Sequence, residues 1–245
     1  MQVIYGVNPV KETLLDNKVQ TEKVVLAKGR RGHDIQEILE LSAQKGVAVE
    51  YNDRNYISNI SGHKSHQGVI CICGDYIYAS VDDIIANCHE SLKGGLALIL
   101  DGIEDPQNLG SMIRTGHCFG INGIIIPQNR AASVTPAVIK VSAGTARHIP
   151  IARVVNISRT IDYLKARGFW IYGADASSDK DLYSCDYKGQ TALVMGSEGK
   201  GIRPLVRKKC DFLISIRMSG NIDSLNVSVA AGIILYEMTN KRGRY

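Results

Sequence analysis

Three polar segments, each directly after an apolar run, carry the side chains best suited to chemistry. The first, residues 101–114, reads DGIEDPQNLGSMIR. It is typical of a strand end, a polar turn and a helix that opens at about Asn108, with Arg114 on that helix facing the same crevice. A guanidinium in that place can bind an anionic group. A capped helix with a solvated arginine gives the same pattern.

The second and third segments combine glycines with polar side chains. Residues 195–201 read MGSEGKG, and glycines at this density let a backbone approach a ligand closely. The segment has neither the Gly-Lys-Ser/Thr ending of a phosphate-binding loop nor the GxGxxG pattern. Residues 216–228 read IRMSGNIDSLNVS, in which Ser224 or Asn226 can cap a final helix. Taken alone, each segment is also compatible with a structural turn.

Strands and helices alternate around these segments from Leu96 onward. Continuous apolar runs are typical of strands buried on both faces of a parallel sheet. Six such runs lie at 96–100, 121–126, 148–154, 170–174, 191–195 and 212–216. Helices are predicted at 109–119, 135–142, 157–167, 204–208 and 225–239. The pattern predicts an α/β sheet covered by helices, with ligands bound beyond the carboxyl ends of its strands.

A smaller α/β unit precedes this region. Strands are predicted at 24–26, 47–51 and 68–73, and a helix at 34–43 with Asp34 as its N-terminal cap. Residues 75–95 break the pattern; they contain a short helix candidate at 81–88 and end in Lys-Gly-Gly. We therefore predict a domain at 1–75, a linker at 76–95 and a larger domain at 96–245.

Charge is distributed unevenly along the chain. Residues 1–90 contain 9 Lys/Arg and 12 Asp/Glu, whereas residues 91–245 contain 20 and 12. A basic C-terminal region favours a polyanionic partner such as nucleic acid. Within the acidic N-terminal region, residues 28–32 (KGRRG) and the pair His63-Lys64 are local basic loops. They could contact phosphates, and solvated turns explain them equally well.

Cysteine usage and hydropathy indicate the compartment. The six cysteines include no CxxC pair, and strand alternation directs Cys71 and Cys73 to one sheet face. Buried reduced thiols are expected, as in a reducing compartment. The first residues do not resemble a secretion signal, and no run approaches the ~18 apolar residues of a membrane span. A cytoplasmic protein that does not bind membranes is predicted, and no His/Cys/Asp spacing indicates a metal site.

Together, the three polar segments resemble motifs 1, 2 and 3 of the SpoU (TrmH) family within the SPOUT methyltransferases. The matching residues are Asn108, Gly110 and Arg114, then Gly196, Glu198 and Gly201, then Ser224, Leu225 and Asn226. The segment 141–144 (VSAG) is also similar to the family's sequence. Residues 5–10 (YGVNPV) and 66–68 (HQG) resemble its ribosomal-protein-L30e-like RNA-binding domain. The resemblance covers nearly the whole chain.

This resemblance implies S-adenosylmethionine-dependent methylation of a ribose 2′-oxygen in RNA. It implies an α/β fold in which the C-terminal parallel-sheet domain contains a deep trefoil knot and a small L30e-like domain precedes it. The cofactor is expected against Met195, Gly196, Ile216, Met218 and Leu225. Arg114 is the implied catalytic residue, as a base or as a clamp on phosphate or alkoxide. The implied orienting residues are Asn108, Glu198, Ser224 and Asn226.

The resemblance also implies partners. A homodimer is expected, with the active site near the subunit interface and the terminal helix as an interface element. The two-domain layout is most similar to bacterial enzymes that methylate a guanosine of 23S ribosomal RNA. Transfer RNA as the substrate would leave the same motifs intact. A non-catalytic RNA-binding or ribosome-assembly protein and a nucleotide-dependent enzyme on an ordinary doubly wound sheet are the other hypotheses.

Overall fold

The computed structural model describes residues 2–16, 19–219 and 224–243. The chain divides into two compact units, Met1–Ile77 and Tyr78–Tyr245, called here the first and second units. Among the described residues, no helix combines the length and apolar character that crossing a bilayer requires. Residues 220–223, which lie within the third polar segment, are outside the described residues.

The first unit is a four-stranded sheet with helices on both faces. Its elements in chain order are β1 (Gln2–Tyr5), α1 (Val7–Leu15), β2 (Thr21–Ala27), α2 (His33–Gln44), β3 (Ala48–Asn52), α3 (Arg54–Ser61) and β4 (Val69–Cys73). The strand order is β1-β4-β2-β3, and only the β2–β3 pair is parallel. Val24 and Leu26 face α1 and α2, whereas Val25 and Ala27 face Ile57 of α3. This alternation is the period-2 pattern of a sheet that is buried on both sides.

The three predicted strands and the predicted helix of the first unit are present, but β1, α1 and α3 were not predicted. The prediction that Asp34 caps α2 is wrong. Gly32 is the N-cap residue, and no side chain caps this helix. Asp34 instead lies in the first turn and accepts a hydrogen bond from Arg30 Nη2 at 2.6 Å. Gly32 is suited to the cap because its φ of 143° lies outside the range that other residues favour.

The second unit is built on a six-stranded sheet in which every pair of neighbouring strands is parallel. Its strands are β5 (Leu96–Asp101), β6 (Gly123–Pro127), β7 (Ile151–Val154), β8 (Trp170–Ala174), β9 (Thr191–Gly196) and β10 (Phe212–Ile214). Their order is β10-β8-β9-β5-β6-β7. All six predicted strands therefore form one parallel sheet, which confirms the predicted fold class. β5 and β9 lie side by side at its centre.

Helices pack on this sheet as the apolar pattern requires. They are α4 (Val81–His89), α5 (Pro106–Cys118), α6 (Pro136–Val141), α7 (Ile157–Lys165), α8 (Pro204–Arg207) and α9 (Val227–Lys241). Ala97 and Ile99 of β5 share a core with Ile84 of α4 and Ile161 of α7. Leu98 points to the opposite face and is also fully buried. Alternate residues of β5 therefore stabilise the packing on both sides of the sheet.

Most of the stretch 76–95, expected to be a linker, belongs to the second unit. Helix α4 buries Ile84, Ile85 and Cys88 in the core of that unit. Its N-terminus is closed by a reciprocal pair of hydrogen bonds between Ser80 and Asp83. The composition of the segment indicated a break in the strand pattern, but the helix within it is part of the larger core.

Candidate active site

The first polar segment places Asn108 at the carboxyl end of β5. Pro106 opens α5, and the Asp105 carboxylate accepts hydrogen bonds from the backbone N–H groups of Gln107 at 3.1 Å and Asn108 at 3.2 Å. This cap satisfies donors that would otherwise have no partner at the helix start. Asn108 is buried in the first turn of α5. The cap therefore fixes its side chain beside the end of a central strand.

The second segment forms a tight loop at the end of β9. The backbone N–H of Ser197 donates to the Gly201 carbonyl at 3.1 Å, and the Gly201 N–H donates to the Ser197 carbonyl at 2.9 Å. A Cβ on Gly196 would lie 2.0 Å from the carbonyl carbon of Gly201, so only glycine fits at that position. This crossing holds Glu198 beside the end of β9, which is the strand next to β5.

The third segment places the side-chain amide of Asn226 in contact with both the first and the second polar segment. Asn226 is the N-cap of α9, and its Oδ1 accepts hydrogen bonds from the backbone N–H groups of Ser228 at 2.9 Å and Val229 at 3.3 Å. Its Nδ2 donates to Asn108 Oδ1 at 3.0 Å and to Glu198 Oε1 at 2.6 Å. One side chain thus joins the three segments, and we call these contacts the Asn108–Glu198–Asn226 network.

A cavity of about 640 Å³ opens beside this network. It lies beyond the carboxyl ends of β8, β9 and β10 and against the first turns of α9. Its lining contains all five residues expected to hold a cofactor, namely Met195, Gly196, Ile216, Met218 and Leu225. Glu198, Ser224 and Asn226 line it as well. A parallel sheet binds its ligands at this edge.

A second cavity of about 260 Å³ adjoins the first. Asn108 and the loop residues 102–105 line it, and Ser197, Glu198, Lys200 and Val227 belong to the walls of both cavities. Glu198 and the residues around it therefore separate a larger chamber from a smaller one. Such a partition is suited to holding two reactants on either side of a few polar groups.

Arg114 lines neither cavity. It is exposed on α5, six positions beyond Asn108, and six positions correspond to a rotation of about 240° around a helix. The expectation that both side chains face one crevice is therefore not met within a single chain. The physical reason is the helical period, since the Asn108 side chain is buried against Asn226 at the start of α9, whereas the Arg114 side chain is exposed on another face of α5.

Asp175 lines the larger cavity and was not among the residues predicted from the sequence. It follows β8, and its carboxylate accepts hydrogen bonds from the Ser177 backbone N–H at 2.9 Å and from Arg207 Nε at 2.5 Å. Burial raises the pKa of Asp175, but the hydrogen bonds from Ser177 and Arg207 outweigh burial, so the pKa lies below its usual value. Its place directly after a predicted strand was the signal that could have found it.

An ion pair fixes the glycine-rich loop to the sheet. The side chain of Asp101, at the end of β5, is fully buried and accepts hydrogen bonds from the Arg203 backbone N–H at 2.9 Å and from Arg203 Nε at 2.7 Å. Arg203 directly follows the loop that carries Glu198. The Asp101–Arg203 pair therefore helps to hold that loop at the carboxyl ends of the central strands.

Comparison with protein families gives two matches that together span most of the chain. The model of the SpoU rRNA Methylase family matches residues 95–236. The model described as RNA 2′-O ribose methyltransferase substrate binding matches residues 3–79. The first match contains all three polar segments, and the second corresponds closely to the first structural unit.

Individual relatives are similar over the full length. "Putative TrmH family tRNA/rRNA methyltransferase YacO" of Bacillus subtilis is 42% identical over 240 residues, covering 98% of this chain and 95% of that protein. The AdoMet-bound rRNA methyltransferase of Sinorhizobium meliloti is 25% identical with a TM-score of 0.76, covering 98% and 87% of the two chains. The SpoU methyltransferase AviRb of Streptomyces viridochromogenes, solved with AdoMet, is 23% identical with a TM-score of 0.77, covering 99% and 91%.

Proposed function

The chain belongs to the SpoU rRNA methylase family, and we propose that it methylates the ribose 2′-hydroxyl of a guanosine in 23S ribosomal RNA. It is an S-adenosylmethionine-dependent RNA ribose 2′-O-methyltransferase. The observation that carries the proposal for this site is the Asn108–Glu198–Asn226 network between the two cavities. The choice of ribosomal RNA is supported by the full-length similarity to the Sinorhizobium meliloti enzyme.

The larger cavity fits S-adenosylmethionine. Its volume of about 640 Å³ lies within the range of roughly 300–1,000 Å³ for small-molecule sites. Met195, Ile216 and Leu225 supply apolar walls, while the loop 196–201 supplies closely approaching backbone. The lining contains the carboxylates of Asp175 and Glu198 and the cations Lys200 and Arg207. Charges of both signs suit a ligand that itself carries an ammonium, a sulfonium and a carboxylate. When bound, this cofactor supplies the methyl group as an electrophile.

We place the acceptor ribose at the smaller cavity. Asn108 and Glu198 line it, and their amide and carboxylate oxygens are fixed by Asn226 Nδ2. Groups held in advance can orient a hydroxyl without paying for their own ordering during the reaction. Ser224, in the wall of the larger cavity, is placed to orient the ribose from the other side.

Arg114 is proposed to reach this site from a second subunit. It is exposed on α5 and lines neither cavity of its own chain. Helix α9 packs against α5, and its Val229 and Tyr236 side chains are 52% and 54% exposed, as expected of a surface that pairs in a homodimer. A guanidinium stays protonated at ordinary pH, so Arg114 acts as a clamp on phosphate or on the developing alkoxide.

The remaining expectations from the resemblance are part of the same proposal. Residues 1–75 bind the RNA substrate, residues 96–245 carry the catalytic domain, and the C-terminal segment is knotted. The match of residues 95–236 to the model of the SpoU rRNA Methylase family supports this arrangement. A cytoplasmic location is supported by the buried thiols of Cys71 and Cys73, whose Sγ atoms share a hydrogen bond at 3.3 Å.

Calorimetry and tritiated methyl transfer test the proposal. S-adenosylmethionine should bind, whereas NAD and ATP should not, which excludes an ordinary nucleotide-dependent enzyme. Ribosomal RNA from a strain lacking the protein should accept label from the wild type but not from Arg114→Ala, and this variant should still bind the cofactor. Label in transfer RNA alone would favour the other substrate, since relatives are described as tRNA/rRNA methyltransferases. Absence of label from both RNAs would support a non-catalytic RNA-binding protein.

A further inference from the structure

A polar pocket of about 460 Å³ lies in the first unit, whereas the methyl-transfer site belongs to the second. It is formed between α3 and the segment that leads into β4, and we call it the α3 pocket. Its lining residues are Arg54, Asn55, Ser58, Asn59, Lys64, His66, Gln67 and Gly68. Two of these side chains carry positive charge, and none carries a negative charge. The family model that matches residues 3–79 describes substrate binding, and it assigns no role to this particular pocket.

The floor of the α3 pocket is fixed by a buried histidine. His66 is only 4% exposed, and its Nδ1 accepts a hydrogen bond from the Gly68 backbone N–H at 3.0 Å. The neutral ring therefore carries its proton on Nε2, which donates to Ser58 Oγ at 3.0 Å. These two bonds join the loop to α3. Arg54, Asn55 and Asn59 are exposed at the rim and free to meet a ligand.

Gln67 also fixes the segment that leads into β4, through hydrogen bonds to elements other than α3. Its Oε1 accepts a hydrogen bond from the Val7 backbone N–H at 2.9 Å, at the start of α1. Its carbonyl accepts one from Arg30 Nε at 3.3 Å. The loop that forms the pocket is thus bound to α1, α3 and the turn after β2. A recess that is built by three elements is preformed rather than a gap between mobile side chains.

Positively charged residues are concentrated at one end of the first unit's sheet, the end next to the α3 pocket. Strand register places the ends of β2 and β3 and the start of β4 together, because Ala27 pairs with Asn52 and Leu26 pairs with Val69. Five cations occupy the segments that adjoin these ends, namely Lys28, Arg30, Arg31, Arg54 and Lys64. The acidic residues Asp16, Glu22 and Asp75 adjoin the opposite strand ends.

Not all of these cations are neutralised. Lys28 pairs with Asp53 at 3.6 Å, and Arg30 pairs with Asp34 at 2.6 Å. Within 2–16 and 19–77, no ion pair is recorded for Arg31, Arg54 or Lys64. The N-terminal region is acidic as a whole, yet one end of it presents uncompensated positive charge around a recess. Positive charge around a recess is suited to binding a polyanion that places one of its units in the recess.

We propose that the α3 pocket binds one unpaired nucleotide of the RNA substrate, with phosphate contacts from Arg54 and Lys64 and base contacts from Asn55 and Asn59. The proposal rests on the RNA methyltransferase function. A volume of about 460 Å³ lies within the roughly 300–1,000 Å³ of small-molecule sites. A concave pocket lined by amides can read only a base that has left the helix, because paired RNA is recognised mainly by its shape.

Filter binding of full-length chain to labelled RNA, without methyl donor, tests this inference. The probes are a 23S ribosomal RNA transcript and bulk transfer RNA, each with and without poly(A)·poly(U) duplex as competitor. The first variant, Arg54→Gln/Lys64→Gln, removes two charges at the pocket. Its matched control, Lys23→Gln/Lys45→Gln, removes two charges from the same unit outside it. A third variant, Asn55→Ala/Asn59→Ala, removes the amides and keeps the charge.

The charge variant should bind the preferred RNA about tenfold more weakly, with a salt slope lower by about 1.4, as expected for two lost contacts to single-stranded phosphates. The amide variant should bind more weakly at an unchanged salt slope, and the control should bind like the wild type. Equal affinity of all four proteins, or full displacement by the duplex, would overturn the inference. RNA binding without any methyl transfer would contradict the proposed function and leave the pocket assignment standing.

Discussion

At the scale of single residues, the candidate site depends on Asn226, which uses both ends of one amide. Its oxygen caps α9, and its nitrogen joins Asn108 to Glu198. The sequence predicted that these residues would meet, because each follows a strand at the same edge of a parallel sheet. It did not predict which atoms would touch, since Ser224 and Asn226 were equally suitable as caps. Only the register of α9 decides between them.

Replacing Asn226 by aspartate separates its two roles. The carboxylate can still cap α9, so the melting temperature should stay close to that of the wild type. It cannot donate to Glu198 and would repel it, so the methyl-transfer rate should fall by about tenfold to a hundredfold. Asn226→Ala is the control that loses both roles and should also lose about 1 kcal/mol of stability. An aspartate variant as active as the wild type would contradict the role of this network.

His66 gives a pH dependence to the stability of the first unit. Burial, and to a lesser degree Arg54, lowers the pKa of His66. The unfolded chain therefore takes up a proton near pH 6.5 that the folded chain does not, and stability should fall as pH decreases below about that value. Urea unfolding at about pH 7.5 and 5.5 should show a larger loss for the wild type than for His66→Asn. Equal losses would show that His66 does not control this dependence.

At the scale of secondary-structure elements, the strands and helices that the sequence predicted are those with a local sequence pattern. The six strands of the second unit were predicted because continuous apolar runs are visible in sequence. Helix α1 was missed because Gly6 provides no side-chain cap, and the Val7 N–H is satisfied by Gln67, sixty positions along the chain. Helix α3 also has no side-chain cap, and only Ile57 is buried. Such elements are stabilised by tertiary contacts that a sequence pattern does not contain.

The two substitutions that break the Asp101–Arg203 pair should lower the free energy of unfolding by different amounts. Asp101 is fully buried, whereas the Arg203 side chain is 49% exposed. Arg203→Ala keeps the backbone N–H that donates to Asp101 but leaves the buried carboxylate without its cation, and it should cost about 3 kcal/mol of the free energy of unfolding. Asp101→Ala leaves an arginine that water can solvate and should cost less, about 1–2 kcal/mol.

Denaturant unfolding of both variants measures this difference. Lys209→Ala is the matched control, because Lys209 and Asp162 form an ion pair in which both side chains are well exposed. Breaking an exposed pair should have little effect. A larger loss from Asp101→Ala than from Arg203→Ala would contradict the argument from burial.

At the scale of the whole molecule, the sequence predicted a chain of two α/β domains, but the segment before the second domain was misread as a linker. The six positions between Asn108 and Arg114 rotate the second side chain by about 240° around α5, so the helical period could have predicted that Arg114 turns away from the cavities of its own chain. That orientation is the reason for proposing a site shared between two subunits.

Mixing inactive variants tests this shared site. Arg114→Ala and Asn226→Asp homodimers should each be nearly inactive. After they are unfolded together and refolded, half of the dimers combine both chains, and in a twofold-symmetric dimer one of their two sites is intact. Activity should return to about a quarter of the wild-type level. Failure to recover activity, while native mass spectrometry shows mixed dimers, would place Arg114 and Asn226 in the same subunit's site.

The central claim is that this chain places a methyl group on a ribose oxygen of RNA. Incubating the protein with S-adenosylmethionine and RNA from a strain lacking it, followed by digestion to nucleosides and mass spectrometry, tests the claim most directly. A methylated ribose is expected, in 2′-O-methylguanosine from 23S ribosomal RNA. Methyl groups found only on bases, or on no nucleoside of either ribosomal or transfer RNA, would contradict it.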